Sequence, residues 1–362
     1  MRDNCAHVSK YMTLLFAGLA LCLLSTSAVM AQAQTPAALP RVAVLATGGT
    51  IAGTGGSDTE TTGYKPGVLS AETLLKSVPS LGKVAQVSAE QVSNIGSENI
   101  TNEILLKLAK RVNQLLAQPE IAGVVITHGT DTLEETAYFL NLVVKSDKPV
   151  VVTGSMRPST AISADGPSNL LQAVTVAASP EARGRGAMVV LNDRIGSARY
   201  TTKTNADALD TFKGQDAGYL GTLIDQVPHF ETSVVKQHST ATPFDVATLD
   251  SLPEVDIVYG YQNDSGFMYD AAVAHGAEGI VVAGVGAGSE SLLILPSIKK
   301  AIDRGVVVVR SSRTGSGFVP KDPAYLGLLG DSLNPQKARI LLMLALTVTK
   351  DTARIQEMFH QF

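Results

Sequence analysis

Apolar and polar residues alternate along this chain in blocks that repeat one order. A short apolar run rich in β-branched residues comes first, then a loop of glycine, serine and threonine, then a segment whose apolar residues recur at helical spacing. The clearest example is a strand at residues 122–127 followed by a helix at residues 133–144. Strands that alternate with helices pair in parallel, so the pattern predicts an α/β fold.

The loops that end the predicted strands are all rich in hydroxyl side chains or glycine. They are Thr47–Thr50, Thr127–Thr132, Thr153–Pro158, Gly284–Ser289 and Arg310–Gly317. In parallel sheets, ligands bind beyond the carboxyl ends of the strands. We therefore expect the chemistry of this protein along that edge of the sheet.

The length of the chain, 362 residues, favours about two domains. Between residues 226 and 253 the helical repeat is lost, and prolines and hydroxyl residues indicate a connector. We predict a large N-terminal α/β domain with a parallel sheet at residues 34–228, a linker at 229–252 and a smaller C-terminal α/β domain at 253–362. A strongly amphipathic pattern predicts the last helix at residues 334–347.

The first residues have the pattern of a secretory signal peptide. Arg2 and Lys10 precede an apolar stretch, residues 11–24, that is short for a membrane span, and small residues follow it. We predict that residues 1–33 are a cleaved signal peptide and that the protein is exported to the periplasm. The alternative is an uncleaved membrane anchor.

Cleavage of that peptide would change the chemistry open to the mature chain. Both cysteines, Cys5 and Cys22, lie within it, so disulfides, thiolate catalysis and cysteine-bound metals are excluded. Loss of two cations and one anion moves the formal net charge from −4 to −5. With no basic tract, this charge argues against nucleic acid or an anionic membrane as a partner.

The first strand-end loop presents a threonine directly after two glycines. Gly48 and Gly49 permit a sharp turn and let a ligand approach main-chain N–H groups closely. Thr50 is therefore a candidate nucleophile beside its own anion-binding donors. The alternative is a phosphate-binding or purely structural turn.

The second loop, His128–Thr132, precedes a predicted helix, where free N–H groups and the dipole favour a carboxylate or an oxyanion. Thr130 is a second presented hydroxyl, and Asp131 is a candidate for holding an ammonium group or orienting a lysine. The alternative is that Asp131 or Thr132 simply caps the helix. We expect His128 to be a packed strand-end residue.

Three further segments carry candidate side chains. The polar segment Gly55–Gly67 has no periodicity and has glycines near both ends, which is typical of a mobile lid, and it carries Tyr64. Ser97 and Glu98 precede a helical pattern, where helix capping is the alternative role. Lys203 lies among hydroxyl residues, where a solvated surface lysine is the alternative.

Several familiar catalytic patterns are missing from the sequence. There is no G-x-S-x-G elbow, no G-x-x-x-x-G-K-[ST] loop and no H-E-x-x-H pair, and the glycines of residues 48–53 lack dinucleotide spacing. Two presented threonines with a lysine and a tyrosine as candidate bases remain, which suits nucleophilic acyl transfer without metal or cofactor. Backbone N–H groups of either loop would hold the oxyanion.

Five motifs resemble the bacterial type II L-asparaginases and glutaminase-asparaginases. In chain order they are ATGGTIAG at residues 46–53, ITHGTDTLEETAYFL at 126–140, RPSTAISADGP at 157–167, TKTN at 202–205 and SLNPQKARILLMLAL at 332–346. The likeness covers essentially the whole mature chain. LNDRIGSARY and the closing IQEMFHQF are most similar to the subgroup that includes the Erwinia enzyme.

The resemblance implies a secreted L-asparagine amidohydrolase with some L-glutaminase activity and no cofactor. It implies Thr50 as the nucleophile with Tyr64 beside it, and a homotetramer whose active sites lie between subunits, with Ser289 reaching the neighbouring site. A second polar triad would consist of Thr130, Asp131 and Lys203. The α-amino and α-carboxylate groups of the substrate would be bound by Asp131, Ser97 and Glu98.

One position departs from the family pattern. The family usually supplies a glutamate from the neighbouring subunit to pair with the loop tyrosine, and here the expected position falls near Ala324. Either Asp322 or Glu290 substitutes for that glutamate, or the activation of Tyr64 is weaker. The alternative function is a periplasmic amino-acid-binding protein that does not hydrolyse its ligand.

Overall fold

A mixed sheet of eight strands forms the larger part of the protein. The structure is a computed structural model that describes residues 38–362, so the predicted signal peptide lies outside the described residues. The strands of this sheet and of a separate short hairpin are β1 (Arg41–Gly48), β2 (Gln86–Ile95), β3 (Ile121–Thr127), β4 (Val150–Thr153), β5 (Ala187–Leu191), β6 (Arg194–Ser197), β7 (Thr202–Lys203), β8 (Phe212–Lys213), β9 (Gly221–Ile224) and β10 (Val227–Phe230). The order across the sheet is β10-β9-β6-β5-β4-β3-β1-β2, and β7 pairs only with β8.

The first five strands pair in parallel, as the alternation of apolar runs and helices predicts. Strands β3, β4 and β5 are buried along almost their whole length. Continuous burial is expected where helices cover both faces of a parallel sheet. The carboxyl ends of β1 and β3 lie side by side, which brings the first two strand-end loops together.

The remaining three strands of the sheet are antiparallel, which the sequence analysis did not predict. Only Asn192 and Asp193 connect β5 to β6, and only Asp225 and Gln226 connect β9 to β10. All four residues have positive φ angles, between 49° and 65°, as two-residue type I′ turns require. A connection this short can join only antiparallel strands.

The helices of the described residues flank the two sheets. They are α1 (Ala71–Lys76), α2 (Leu81–Val84), α3 (Asn102–Leu116), α4 (Leu133–Val143), α5 (Gly166–Ala178), α6 (Phe267–His275), α7 (Leu295–Asp303), α8 (Pro335–Leu346) and α9 (Thr352–Gln361). Side chains cap the N-termini of two of the longer helices. Thr101 accepts a hydrogen bond from Ile104 N at the start of α3, and Asn334 accepts one from Lys337 N at the start of α8. Within residues 38–362 no helix is long and apolar enough to cross a membrane.

A second, smaller sheet follows in the C-terminal part of the chain. It consists of four parallel strands in chain order, β11 (Val255–Tyr259), β12 (Gly279–Gly284), β13 (Val307–Ser312) and β14 (Leu328–Leu329). The predicted fold class is therefore confirmed: a large N-terminal α/β region, rich in parallel strands, precedes a smaller C-terminal α/β region.

Helix α8 confirms the helix predicted at residues 334–347, but it is not the last helix, since α9 follows it, and it is not amphipathic, since it is buried on nearly every side. It packs on α4 and also on β11, β12 and β13, and ten of its twelve residues are buried. One apolar cluster consequently contains residues from both sheets and from this helix, such as Val124, Val281 and Leu342. Lys337 is buried with the apolar residues because the helix lies between α4 and the small sheet, and the two residues that stay partly exposed are Gln336 and Arg339.

The predicted linker is anchored in the core at its centre. The side chain of Phe244 is fully buried, and its ring packs edge-on against the ring of Phe362 with the centroids 5.4 Å apart. Earlier in the same segment, Val235 is 91% exposed. The segment therefore contributes to the core through a few residues.

Replacing Phe244 by alanine is predicted to lower the free energy of unfolding by about 3–5 kcal/mol, because the neighbours cannot fill the space left by the ring. Val235→Ala is the matched control, and its effect should stay below about 0.5 kcal/mol since the side chain is exposed. Urea unfolding followed by circular dichroism measures both values. Equal values for the two variants would contradict this role of Phe244.

His128 follows the end of β3 and is fully buried, as the sequence analysis expects. Its Nδ1 lies 2.7 Å from the carbonyl oxygen of Gly129, and its Nε2 lies 2.9 Å from the hydroxyl of Thr136. A neutral ring satisfies both neighbours if Nδ1–H donates to the carbonyl and Nε2 accepts from the hydroxyl. Burial lowers the pKa of His128 to about 4.

This depressed pKa predicts a pH dependence of stability. Because the folded pKa of about 4 is below the ordinary value of 6.5, the unfolded chain binds more protons between these limits. Neutral His128 makes its full contribution to the free energy of unfolding above pH 6.5. About 3 kcal/mol of this free energy is lost as the pH falls towards 4. In His128→Gln, the unfolding free energy should fall less over this range, and an unchanged pH dependence would contradict the prediction.

Candidate active site

A cavity of about 550 Å³ opens beside the carboxyl ends of β1 and β3. All but one of the site residues predicted from the sequence line it, namely Thr50, Tyr64, Ser97, Glu98, Thr130, Asp131 and Lys203. Other lining side chains were not identified from the sequence; among them are Thr61, Thr62, Met156, Arg157 and Asp207. The edge of the sheet where the hydroxyl loops were expected to meet is thus the location of the cavity.

The two glycine turns below this cavity touch each other directly. Gly48 and Gly49 have φ angles of 107° and 78°, a conformation that favours glycine. A Cβ added to Gly49 would lie 2.3 Å from the backbone of Gly129, and one added to Gly129 would lie 2.7 Å from Ser97 Oγ. The Thr50 turn, the Thr130 loop and the Ser97 segment are therefore packed without room for a side chain between them.

Thr50 and Tyr64 form the first polar pair of the cavity. Their hydroxyl oxygens are 2.6 Å apart, and Thr50 is only 6% exposed. Tyr64 comes from the predicted lid. Two backbone hydrogen bonds of 3.0 Å between Thr54 and Lys65 hold the two ends of this segment together. The lid thus places its tyrosine on the threonine that follows the glycine turn.

Lys203, Thr130 and Asp131 form the second polar group. Lys203 Nζ lies 3.1 Å from Thr130 Oγ1 and 2.6 Å from Asp131 Oδ1. The lysine side chain is 15% exposed, so it is not a solvated surface lysine. The alternative that Asp131 or Thr132 caps helix α4 is not seen. Asp131 pairs with the lysine, and the side chain of Thr132 makes no capping hydrogen bond at the start of α4.

Ser97 and Glu98 lie in a short 3₁₀ turn that forms another wall. Ser97 Oγ accepts from Asp131 N at 3.2 Å, and its carbonyl oxygen accepts from Thr132 Oγ1 at 2.8 Å. Helix α3 is capped instead by Thr101, so neither Ser97 nor Glu98 serves that purpose. The turn is tied to the Thr130 loop and faces the cavity.

The cavity carries charged groups of both signs. The cations of Lys203 and Arg157 line it together with the carboxylates of Glu98, Asp131 and Asp207. The N-terminus of α4 adds a partial positive charge close to Thr130. A small ligand that carries both an ammonium and a carboxylate group is complementary to this arrangement. Within residues 38–362 no group of three or more His, Cys, Asp or Glu side chains is arranged to hold a metal ion.

Ser289 does not line this cavity. It lines a different cavity at the small sheet, together with Glu290, whose burial raises the pKa to about 7. Asp322 Oδ1 accepts a hydrogen bond from Ala324 N within its own turn. Neither carboxylate that was considered as a replacement for the family's glutamate lines the cavity of Tyr64 in the described chain.

Two buried charges that the sequence pattern does not indicate lie directly behind the cavity. Glu134 is 3% exposed and Lys337 is 1% exposed, and their charged atoms are 3.5 Å apart. Glutamate and lysine are ordinarily surface residues, and on a helix they suggest a solvated face. Only the tertiary contact of α4 with α8 shows that these two are internal.

Two family models match the chain in tandem. The model described as asparaginase, N-terminal, matches residues 41–236, and the model described as glutaminase/asparaginase C-terminal domain matches residues 254–359. The first match contains every residue named above as lining the large cavity. The second contains Ser289 and helix α8.

Curated relatives are similar over almost the whole chain. L-asparaginase 2 of Bacillus subtilis is 58% identical over 90% of this chain and 87% of its own length. A probable periplasmic L-asparaginase of Haemophilus influenzae is 46% identical over 90% of this chain and 93% of its own. A glutaminase-asparaginase of Pseudomonas fluorescens is 45% identical over 95% and 97%.

A solved structure is similar as well. The crystal structure of a probable cytoplasmic L-asparaginase from Campylobacter jejuni has a TM-score of 0.87 and 50% sequence identity, and the match covers 89% of this chain and all of that one. Relatives are thus named for either compartment. The family resemblance carried by the five motifs is confirmed, and this chain belongs to the asparaginase family, whose members named here are amidohydrolases.

Proposed function

We propose that this protein hydrolyses the side-chain amide of L-asparagine to L-aspartate and ammonia, with Thr50 as the nucleophile and with a lower activity on L-glutamine. The observation that carries the proposal is the presence in one cavity of two hydroxyl groups with their own polar partners: Thr50 with Tyr64, and Thr130 with Lys203. Family membership supports amide hydrolysis over an amino-acid-binding protein that releases no ammonia.

In the first step, Thr50 Oγ1 attacks the amide carbon of bound asparagine. Its proton passes to the Tyr64 oxygen, 2.6 Å away, while the proton of Tyr64 moves on to the leaving nitrogen. Backbone N–H groups of the two strand-end loops hold the oxyanion of the tetrahedral intermediate, apart from that of Gly49, which donates to the carbonyl oxygen of Ile95. The C–N bond then breaks, ammonia leaves, and the aspartyl group remains as an ester on Thr50.

In the second step, water adds to the ester and the C–O bond to Thr50 breaks, which returns a proton to Thr50 and releases aspartate. Lys203 as an ammonium donates to both Thr130 Oγ1 and Asp131 Oδ1. The Thr130 hydroxyl accepts the hydrogen bond from Lys203. The proton of that hydroxyl is therefore free to be donated to the reacting group or to water. Thr130 thereby orients the groups that Thr50 and water attack.

Substrate binding follows from the charges of the cavity. We assign the α-ammonium group to Asp131 and Glu98, and the α-carboxylate to Ser97 and nearby backbone N–H groups. These side chains lie on turns that are packed against one another, so they need little reorganisation when substrate binds. A cofactor has no step in this mechanism.

The assembly proposed for this enzyme is a homotetramer in the periplasm. Ser289 is assigned to the active site of a neighbouring subunit, which is consistent with its location outside the cavity of its own chain. The name of the Haemophilus influenzae relative supports the compartment.

Thr50→Ala is predicted to lower kcat for ammonia release from asparagine by about 10³-fold or more, because the covalent route is lost. Thr50→Ser keeps the hydroxyl and should retain measurable turnover. A coupled ammonia assay gives the rates, and calorimetry on the same samples gives asparagine affinity. Near-normal turnover of Thr50→Ala would exclude Thr50 as the nucleophile, and binding without ammonia release by the wild type would favour the binding protein.

Glu98→Gln is predicted to lower the ratio of kcat/KM for glutamine to kcat/KM for asparagine by about threefold or more. The extra methylene of glutamine displaces its α-ammonium group, and a carboxylate at position 98 attracts that group more strongly than an amide does. Asp58→Asn removes an exposed lid carboxylate outside the cavity lining and serves as the control. An unchanged ratio in Glu98→Gln would remove this assignment.

A further inference from the structure

The carboxylate of Glu134 lies directly behind the catalytic cavity and accepts hydrogen bonds from two parts of the chain. Glu134 belongs to the first turn of α4, immediately after the loop that carries Thr130 and Asp131. From β7 it accepts Thr202 Oγ1 at 2.8 Å and Lys203 N at 3.4 Å. The carboxylate thus bonds to the backbone of the residue whose side chain enters the cavity.

The other donors come from the start of α8. Asn334 Nδ2 donates to Oε2 of Glu134 at 2.9 Å, and Gln336 Nε2 donates to Oε1 at 3.2 Å. Lys337 Nζ lies 3.5 Å from Oε2 and supplies the opposite charge. The carboxylate therefore joins α4, β7 and α8 at a single buried point.

Lys337 bonds to the backbone that directly precedes strand β7. Its Nζ donates to the carbonyl oxygen of Thr201 at 2.6 Å and to that of Arg199 at 3.1 Å, just before β7 begins. Burial lowers the pKa of Lys337 to about 8, and Glu134 acts in the opposite direction. The ion pair is thus held on both sides by backbone that leads to Lys203.

The sheet topology explains why the position of Lys203 depends on contacts outside strand pairing. Strand β7 has two residues and, within residues 38–362, pairs only with β8, so no ladder of the large sheet described there fixes its position. Lys203 must nevertheless reach Thr130 and Asp131, which belong to a loop of the large sheet. Some contact other than strand pairing has to set the distance between the two.

We propose that Glu134, paired with Lys337, is the positioning residue that fixes Lys203 against Thr130 and Asp131. The inference rests on the proposed role of Lys203 in hydrolysis. A carboxylate suits this position because each of its oxygens accepts donors and neither presents a hydrogen. In Glu134→Gln one oxygen becomes an NH₂ group, which then faces at least one of the donors. The strand shifts, and the lysine leaves the geometry that the reaction requires.

The central experiment compares Glu134→Gln with Glu135→Gln. Glu135 is the next residue of the same helical turn and its carboxylate has no hydrogen bond to β7 among the described residues, so its variant removes an acid without touching the strand. For Glu134→Gln we expect kcat on asparagine to fall by about 10- to 100-fold while KM changes by less than about threefold, because misplacement of a catalytic group affects the chemical step. Glu135→Gln should keep the wild-type kcat. Wild-type kcat in folded Glu134→Gln overturns the proposal.

A double variant separates positioning from stability. Glu134→Gln leaves Lys337 as an unpaired buried charge, which lowers the unfolding temperature, whereas Glu134→Gln with Lys337→Met removes both charges and should recover part of that loss. The amide at position 134 still presents its NH₂ group to at least one of the donors, so kcat should stay low. Recovery of kcat together with the unfolding temperature would show a purely structural role and overturn the proposal.

Two further variants keep the test decisive. If Glu134→Gln does not fold, Thr202→Val removes only one donor from β7 and should lower kcat by about threefold or more with little effect on KM; an unchanged kcat counts against the inference. Lys203→Met tests the catalytic role of Lys203 on which the inference rests. An inactive Lys203→Met beside a fully active Glu134→Gln refutes the positioning role alone, and full activity of Lys203→Met refutes the role of Lys203 and with it the positioning role. Absence of ammonia release by the wild type refutes the proposed function.

Discussion

The geometry of the cavity depends on backbone contact between two turns that have no side chain between them. Gly49 lies against Gly129, and Gly129 lies against Ser97, at separations that exclude a Cβ. Main-chain atoms in contact are as poorly compressible as the rest of a protein interior. The hydroxyls of Thr50 and Thr130 are therefore held relative to each other by packing, although both belong to loops, which are usually the mobile parts of an α/β protein.

The second constraint on the cavity is electrostatic and acts on the position of its lysine. The lysine of the cavity comes from a two-residue strand outside the large sheet, and its backbone is tied to a buried carboxylate. A buried charge is costly unless it is paired and hydrogen-bonded, and Glu134 has both kinds of partner. One half of the site is thus fixed by close packing and the other by a satisfied ion pair.

Much of this arrangement was accessible from the sequence because it follows from local pattern. Apolar runs that end in hydroxyl loops predicted both the sheet and the edge where Thr50 and Thr130 meet. The antiparallel strands were missed because turns such as Asn192–Asp193 lack the glycine that usually marks a type I′ hairpin. Glu134 and Lys337 were missed for a different reason: burial of a charge is decided by tertiary partners, which no local pattern contains.

Helix α8 lies between helix α4 of the large region and strands β11 to β13 of the small one. Its apolar residues belong to a cluster that includes both sheets, so neither region can lose this helix without exposing part of its own interior. Loss of structure in one region therefore removes packing partners from the other. An enzyme built this way would lose its catalytic cavity when heat unfolds the small region, although every residue that lines the cavity belongs to the large one.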